Sequence, residues 1–138
     1  MSDDISKKIY FLTVVFLVLF LIYLLYQQCF KKSQINGSYT NTNRFNFPYL
    51  NNFDLSLVND NINVNVGCNT ISGLYEIKDD TLYVGPLSMT KKYCSEQEEN
   101  LDLLVIKFLS ERPTIYLNDD NNLILKHLSG LFVELKKL

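Results

Sequence analysis

The sequence predicts an α+β protein, in which a single transmembrane helix is followed by a small domain with a curled antiparallel β-sheet and one packed α-helix. Three observations predict it. An uncharged apolar run of membrane-spanning length lies near the N-terminus, period-two alternation recurs through the remainder, and one capped amphipathic helix interrupts the strands.

The apolar run reads IYFLTVVFLVLFLIYLLY from Ile9 to Tyr26, with Thr13 its only clearly polar member and Lys7, Lys8, Lys31 and Lys32 bracketing it. A hydrocarbon core of about 30 Å needs ~20 apolar residues. That length is reached at residue 30, so the reading is a tail at 1–8, a span at 9–30, a polar linker at 31–36 and a folded domain at 37–138. Tyr10, Tyr23 and Tyr26 sit near the ends of the run, where aromatic belts form. A buried core helix of this length would carry a polar face, and a cleavable signal would be shorter and end in small residues. Tyr26, Gln27 and Gln28 precede Cys29 in place of the small residues a bacterial lipoprotein signal requires, so Cys29 is not a lipidated N-terminus. Its position at the membrane boundary makes it a candidate for reversible palmitoylation. The lipid bilayer is thus the first expected partner. Orientation stays open, because two lysines flank each side.

In the domain, Phe53, Leu55 and Leu57 alternate with polar residues, and after an Asn59-Asp60 turn Ile62, Val64 and Val66 do the same. This predicts a hairpin. Leu74 to Ile77 and Leu82 to Val84 flank Asp79-Asp80 and predict a second one. Thr114 to Leu117, Leu123 to His127 and Leu131 to Leu135 predict a meander, with turns at Asn118 to Asn122 and Ser129-Gly130. Between these sets Ser95 with Glu98 makes a capping box, and Glu96 and Glu99 suit the positive end of a helix dipole. Leu101, Leu104, Val105, Phe108 and Leu109 then form one apolar stripe, and Pro113 stops the helix.

Charge excludes one class of partner. Of 13 basic and 15 acidic residues, nine and 13 remain from Ser33 onward, a net of −4 without clustered lysine and arginine, which argues against nucleic acid.

The run Gly67-Cys68-Asn69-Thr70-Ile71-Ser72-Gly73-Leu74-Tyr75, then Leu82 to Thr90 and on to Cys94, resembles the signature of the META/HslJ-like domains. Gly67, Asn69, Gly73 and Tyr75 are the residues that carry it. The tryptophan common near the start of that family's domain is missing, and Tyr39 is the residue that would take its place. The resemblance implies a compact, mostly antiparallel fold without known catalytic machinery, found in envelope or secreted settings.

The residues themselves assemble no catalytic site. His127 is the only histidine, alternates with Leu125 on a predicted strand, and is read as a half-buried strand residue; pairing with Cys68 or Cys94 is the sharper alternative, which nothing local orients. Cys29, Cys68, Cys94 and His127 are too scattered for a zinc site, and the Asp pairs sit in turns without calcium-loop spacing. Gly67 and Gly73 bracket a segment expected to turn or bulge with positive φ, where Asn69 would bond its own backbone. No phosphate-binding glycine pattern is present, and no cofactor is expected. Asn36-Gly37-Ser38 is a glycosylation sequon close to the span, of a kind that arises by chance in an Asn-rich chain.

Two cysteines fall in the folded part. Cys68 and Cys94 either form a disulfide, which places the domain outside the cytosol or on a virion exterior, or remain two reduced, buried thiols of a cytosolic domain. An even pair on either side of a predicted hairpin favours the bridge. The expected function is a membrane-anchored, non-enzymatic interaction or structural module that meets a protein partner. A small-molecule or envelope-stress binding domain with a pocket under the helix is the alternative.

Overall fold

The computed structural model describes residues 2–48 and 50–138, with side chains described for all of these except 2–4, 28 and 43. The chain divides into two units, residues 1–34 and 35–138.

The described part of the first unit is helical, within α1 (Ser2–Ile35), whose last residue, Ile35, belongs to the second unit. Its stretch Ile5–Ile35 is long and apolar enough to cross a membrane, with a mean hydropathy of 2.7 in its most apolar window and none of that window buried within the protein. The helix is longer at both ends than the predicted span, and the expected linker 31–36 is helical as far as Ile35. No glycine or proline precedes Gly37, and adding residues to an existing helix costs little once it is nucleated.

The second unit is built from β1 (Gly37–Phe45), β2 (Asp54–Val58), β3 (Asn61–Asn65), β4 (Thr70–Lys78), β5 (Thr81–Val84), β6 (Ser88–Met89), α2 (Glu96–Ser110), β7 (Thr114–Leu117), β8 (Leu123–Lys126) and β9 (Phe132–Lys137). Among the described residues the strand order is β3-β2-β1-β9-β8-β7-β5-β4-β6, and β3 also pairs with β4. That extra pairing closes the curled sheet into a barrel-like ring, with β6 attached to β4. Every pairing is antiparallel.

Local chemistry explains the tight turns. Asn59 and Asp60 adopt φ of 51° and 63°, and Asp79 and Asp80 adopt 47° and 59°. Two consecutive positive φ values match the twist of a two-residue hairpin, and Asn and Asp are the side-chain-bearing residues that tolerate them best. The alternation read from the sequence fills the barrel: Leu55, Leu57, Ile62, Val64, Ile71, Leu82 and Val133 are all buried. Helix α2 has the predicted cap, in which Ser95 Oγ accepts from Glu98 N and Glu98 Oε2 accepts from Ser95 N. It buries Leu101, Val105, Phe108 and Leu109, and the Phe108 ring meets Phe47 edge-on with centroids 4.9 Å apart. Beyond Ser110, Arg112 turns left-handed at φ 58° and Pro113 follows.

Strand β1 was not expected. It places Tyr39 at full burial, opposite Leu55 on β2 and Lys137 on β9. Tyr39, named above for the place of the missing tryptophan, is a core residue of the domain.

Candidate functional site

The segment between Gly67 and Gly73 contains no positive-φ residue, contrary to the expected turn, and from Thr70 onward it is already strand β4. Its glycines serve close approach instead. A Cβ on Gly73 would stand 2.8 Å from Leu87 Cδ2 and 3.1 Å from the Pro86 carbonyl oxygen. One on Gly67 would stand 3.2 Å from Asp102 Oδ1 and 3.3 Å from the Glu98 carbonyl oxygen. The last of the four motif residues, Tyr75, is buried and donates its hydroxyl to Asn36 Oδ1 at 2.7 Å.

Asn69 does not bond its own backbone. Its Nδ2 donates to Asp102 Oδ2 at 3.0 Å and points at Cys94 Sγ at 3.2 Å, while its Oδ1 accepts from Lys92 N at 2.9 Å and Thr90 Oγ1 at 3.0 Å. Thr90 Oγ1 in turn accepts from Thr70 N at 3.0 Å. One buried amide therefore ties three segments together: the start of β4, the strap 90–94 and helix α2. Beside it Cys68 and Cys94 form a disulfide with Cα atoms 5.8 Å apart. Cys29 is a free, exposed cysteine on α1.

Asp102 was not singled out in the sequence. It is fully buried, and its Oδ2 accepts from Asn69 N at 3.2 Å as well as from Nδ2. Among the described residues its Oδ1 has no hydrogen-bond partner. The signal was available, since Asp102 lies beside Leu101 and three residues before Val105 on the apolar face of α2, where a charge needs a reason.

Between the disulfide-linked segments and the loop ahead of β2 opens a groove of about 470 Å³, lined by Asn51, Asn52, Val66, Gly67, Ser95, Gln97, Glu98 and Leu101. Its volume is in the range of about 300–1,000 Å³ that ligand clefts occupy. Its rim is amide-rich and its floor is apolar at Val66 and Leu101. Glu98 belongs to the cap: Ser95 N and Ser95 Oγ both donate to Oε2 at 2.8 Å. The backbone bond from Ser95, then the hydroxyl bond, hold its carboxyl below the ordinary carboxylate range.

The remaining polar clusters have structural explanations. His127 lies just past β8, where its Nδ1 faces Ser129 Oγ at 2.8 Å and accepts from Ser129 N at 3.1 Å within a turn, and its Nε2 is 3.6 Å from Glu111 Oε2. Both sulfurs that could have paired with it are in the bridge. Buried Glu134 accepts from Asn118 Nδ2 and Asn122 Nδ2 and so anchors the β7–β8 turn. Among the described residues, no group of three or more His, Cys, Asp and Glu side chains is placed to hold a metal ion.

A small closed antiparallel barrel, braced by one helix and with its first signature segment pinned by a disulfide and a buried Asn–Asp pair, defines the class of domain. Residues 25–137 match the META domain family, and the chain belongs to it. Two solution structures share the fold. One, the NMR structure of a protein from Burkholderia xenovorans, has a TM-score of 0.60 at 14% identity over 78% of this chain and 86% of that one. A second NMR structure has a TM-score of 0.58 at 21% identity over 77% of this chain and 93% of its own. No curated protein matches the chain.

Proposed function

We propose that this chain is a single-pass, membrane-anchored and non-enzymatic interaction module, which presents its META domain at a membrane surface and receives a protein partner in the groove beside α2. One observation carries the proposal. Two groove residues, Gly67 and Ser95, are the sequence neighbours of the bridged cysteines Cys68 and Cys94, so a covalent link holds the two walls together before anything binds. A preformed groove loses less entropy on association than one ordered by its ligand. The disulfide also supports an extracytosolic location or the exterior of a virion, since such bridges persist in oxidising surroundings. Exposed Val58, Leu74, Leu103, Tyr116 and Leu128 are spread over separate elements, which makes the groove the better docking place. The groove's volume also favours a second reading, a small polar ligand in the same place.

The anchor is tested by alkaline carbonate extraction: the full-length chain stays with the membrane pellet, and release at unshortened mass overturns the anchor. The docking place is tested by proximity labelling with wild type and Gln97→Trp, which fills the mouth of the groove. Loss of specific neighbours in the variant supports protein docking. An unchanged neighbour set removes the groove as the docking place. A small molecule that co-purifies with wild type and is lost in the variant selects the second reading.

A further inference from the structure

We infer that the groove receives an organic cation, the ammonium or guanidinium group of a lysine or arginine side chain on the protein partner. This rests on the docking reading above and names the chemistry of its contact. Two acidic residues four apart on α2, Glu98 and Asp102, meet Gly67, the first through its backbone carbonyl oxygen and the second through its carboxyl. Glu98 is on the groove wall, and its cap bonds fall on Oε2, leaving Oε1 without a hydrogen bond among the described residues. Asp102 is fully buried with Oδ1 unpartnered, and Gly67, whose backbone forms part of the groove lining, stands directly over that oxygen. Gly67 lines the groove and also packs closely on the buried carboxyl, since a Cβ there would stand 3.2 Å from Asp102 Oδ1. A carboxylate there would act on the groove through a medium of lower effective dielectric than water. Neither carboxyl has a salt-bridge partner among the described residues, and no basic residue lines the groove.

The helix N-terminus works in the other direction, with roughly half a positive charge. Glu96, Glu98 and Glu99 in the first turn outweigh it before Asp102 is counted. The rest of the lining fits the stem and flanks of such a side chain. Val66 and Leu101 offer an apolar floor for methylenes, and the amides of Asn51, Asn52 and Gln97 suit the backbone of the segment that carries it.

The experiment uses the full-length ¹⁵N-labelled chain in zwitterionic micelles, titrated with N-acetyl-lysine amide and N-acetyl-arginine amide, with N-acetyl-norleucine amide as the uncharged control and Ca²⁺ alone as a second control. The cationic probes shift the amide resonances of Gly67, Glu98 and Leu101, and the control probe does not. Asp102→Asn keeps an oxygen for the two Asn69 bonds, and it weakens cationic binding by about fivefold or more. Glu98→Gln weakens it by about tenfold. Equal shifts from norleucine amide, equal binding to Asp102→Asn with its native spectrum retained, or the same shifts from Ca²⁺ alone each overturn the assignment. Failure here with neighbours still lost in Gln97→Trp leaves docking in place and removes the cation. Binding of the probes with an unchanged neighbour set retains the cation site and removes the protein partner.

Discussion

Asp102 Oδ2 accepts two hydrogen bonds from the single residue Asn69, one from its backbone N at 3.2 Å and one from Nδ2 at 3.0 Å. The asparagine of the family signature is thus the partner of a buried acid on the helix, and its Oδ1 accepts from Thr90 Oγ1 and Lys92 N on the strap.

Asn69→Ala leaves the Asp102 carboxyl with one donor and the strap without its acceptor. The expected loss is about 3 kcal/mol, the scale for removing bonds to a buried charged group. Thermal unfolding of the full-length chain followed by near-ultraviolet circular dichroism measures it, and a loss under about 1 kcal/mol would show that the amide is dispensable.

The disulfide closes a loop with a sequence separation of 26. Cys68→Ser with Cys94→Ser is expected to lower stability by about 3–4 kcal/mol in the chain-entropy treatment. Mass spectrometry of natively purified protein, alkylated before reduction, checks the bridge itself; alkylation at both Cys68 and Cys94 contradicts it.

Gly73→Ala introduces a methyl group 2.8 Å from Leu87 Cδ2 and 3.1 Å from a carbonyl oxygen of Pro86. Leu87 is able to turn aside and the Pro86 backbone is not, so the variant is destabilised by roughly 1–3 kcal/mol. Gly85→Ala is the control, because its nearest neighbours lie at 3.7 and 3.8 Å. Equal melting temperatures for the two variants refute the packing account.

Burial, and secondarily the field of Tyr75, push the Tyr39 phenol above its ordinary value of 10.0. The folded state therefore holds that proton more tightly than the unfolded chain. The resulting stability is fully present below about pH 10 and is lost as pH rises through the elevated folded-state value. Tyr39→Phe starts lower, since the hydroxyl donates to the Ile35 carbonyl, but it declines less steeply above pH 10. Melting temperatures from pH 8 to 11 for both proteins decide this, and parallel slopes count against it.

Much of this fold was legible because each local rule agreed with the fold as a whole. The hairpin turns at Asn59-Asp60 and Asp79-Asp80, the Ser95–Glu98 cap and the inward rows of β2, β3 and β5 all followed from spacing. Strand β1 was hidden for a physical reason. Its register against β9 shifts between Asn41 and Phe45, so its alternation breaks, and Asn41 uses its side chain to accept from Phe53 N rather than to fill the core. The pairing of β1 with β9 was hidden too, because it joins residues about a hundred positions apart and leaves no local mark. In the site, Cys68, Asn69 and the glycines were marked by the motif. The roles of Asn69 and Gly67 depended on Asp102, and a single acid within an apolar stripe names no partner until the helix is placed.

The pairing of Thr40 with Lys136 has a consequence for the order of events during synthesis. Strand β1 leaves the ribosome well before its neighbour β9, so an emerging chain carries β1 with one edge unsatisfied while the elements between them are made. Contacts of such long sequence separation slow folding and prolong the exposure of strand edges to other chains. The Asn, Thr and Arg residues along β1 make that waiting edge hydrophilic and poorly suited to recruiting a second copy. The same hydrophilic composition that hides the strand pattern of β1 also lets it remain open until β9 arrives.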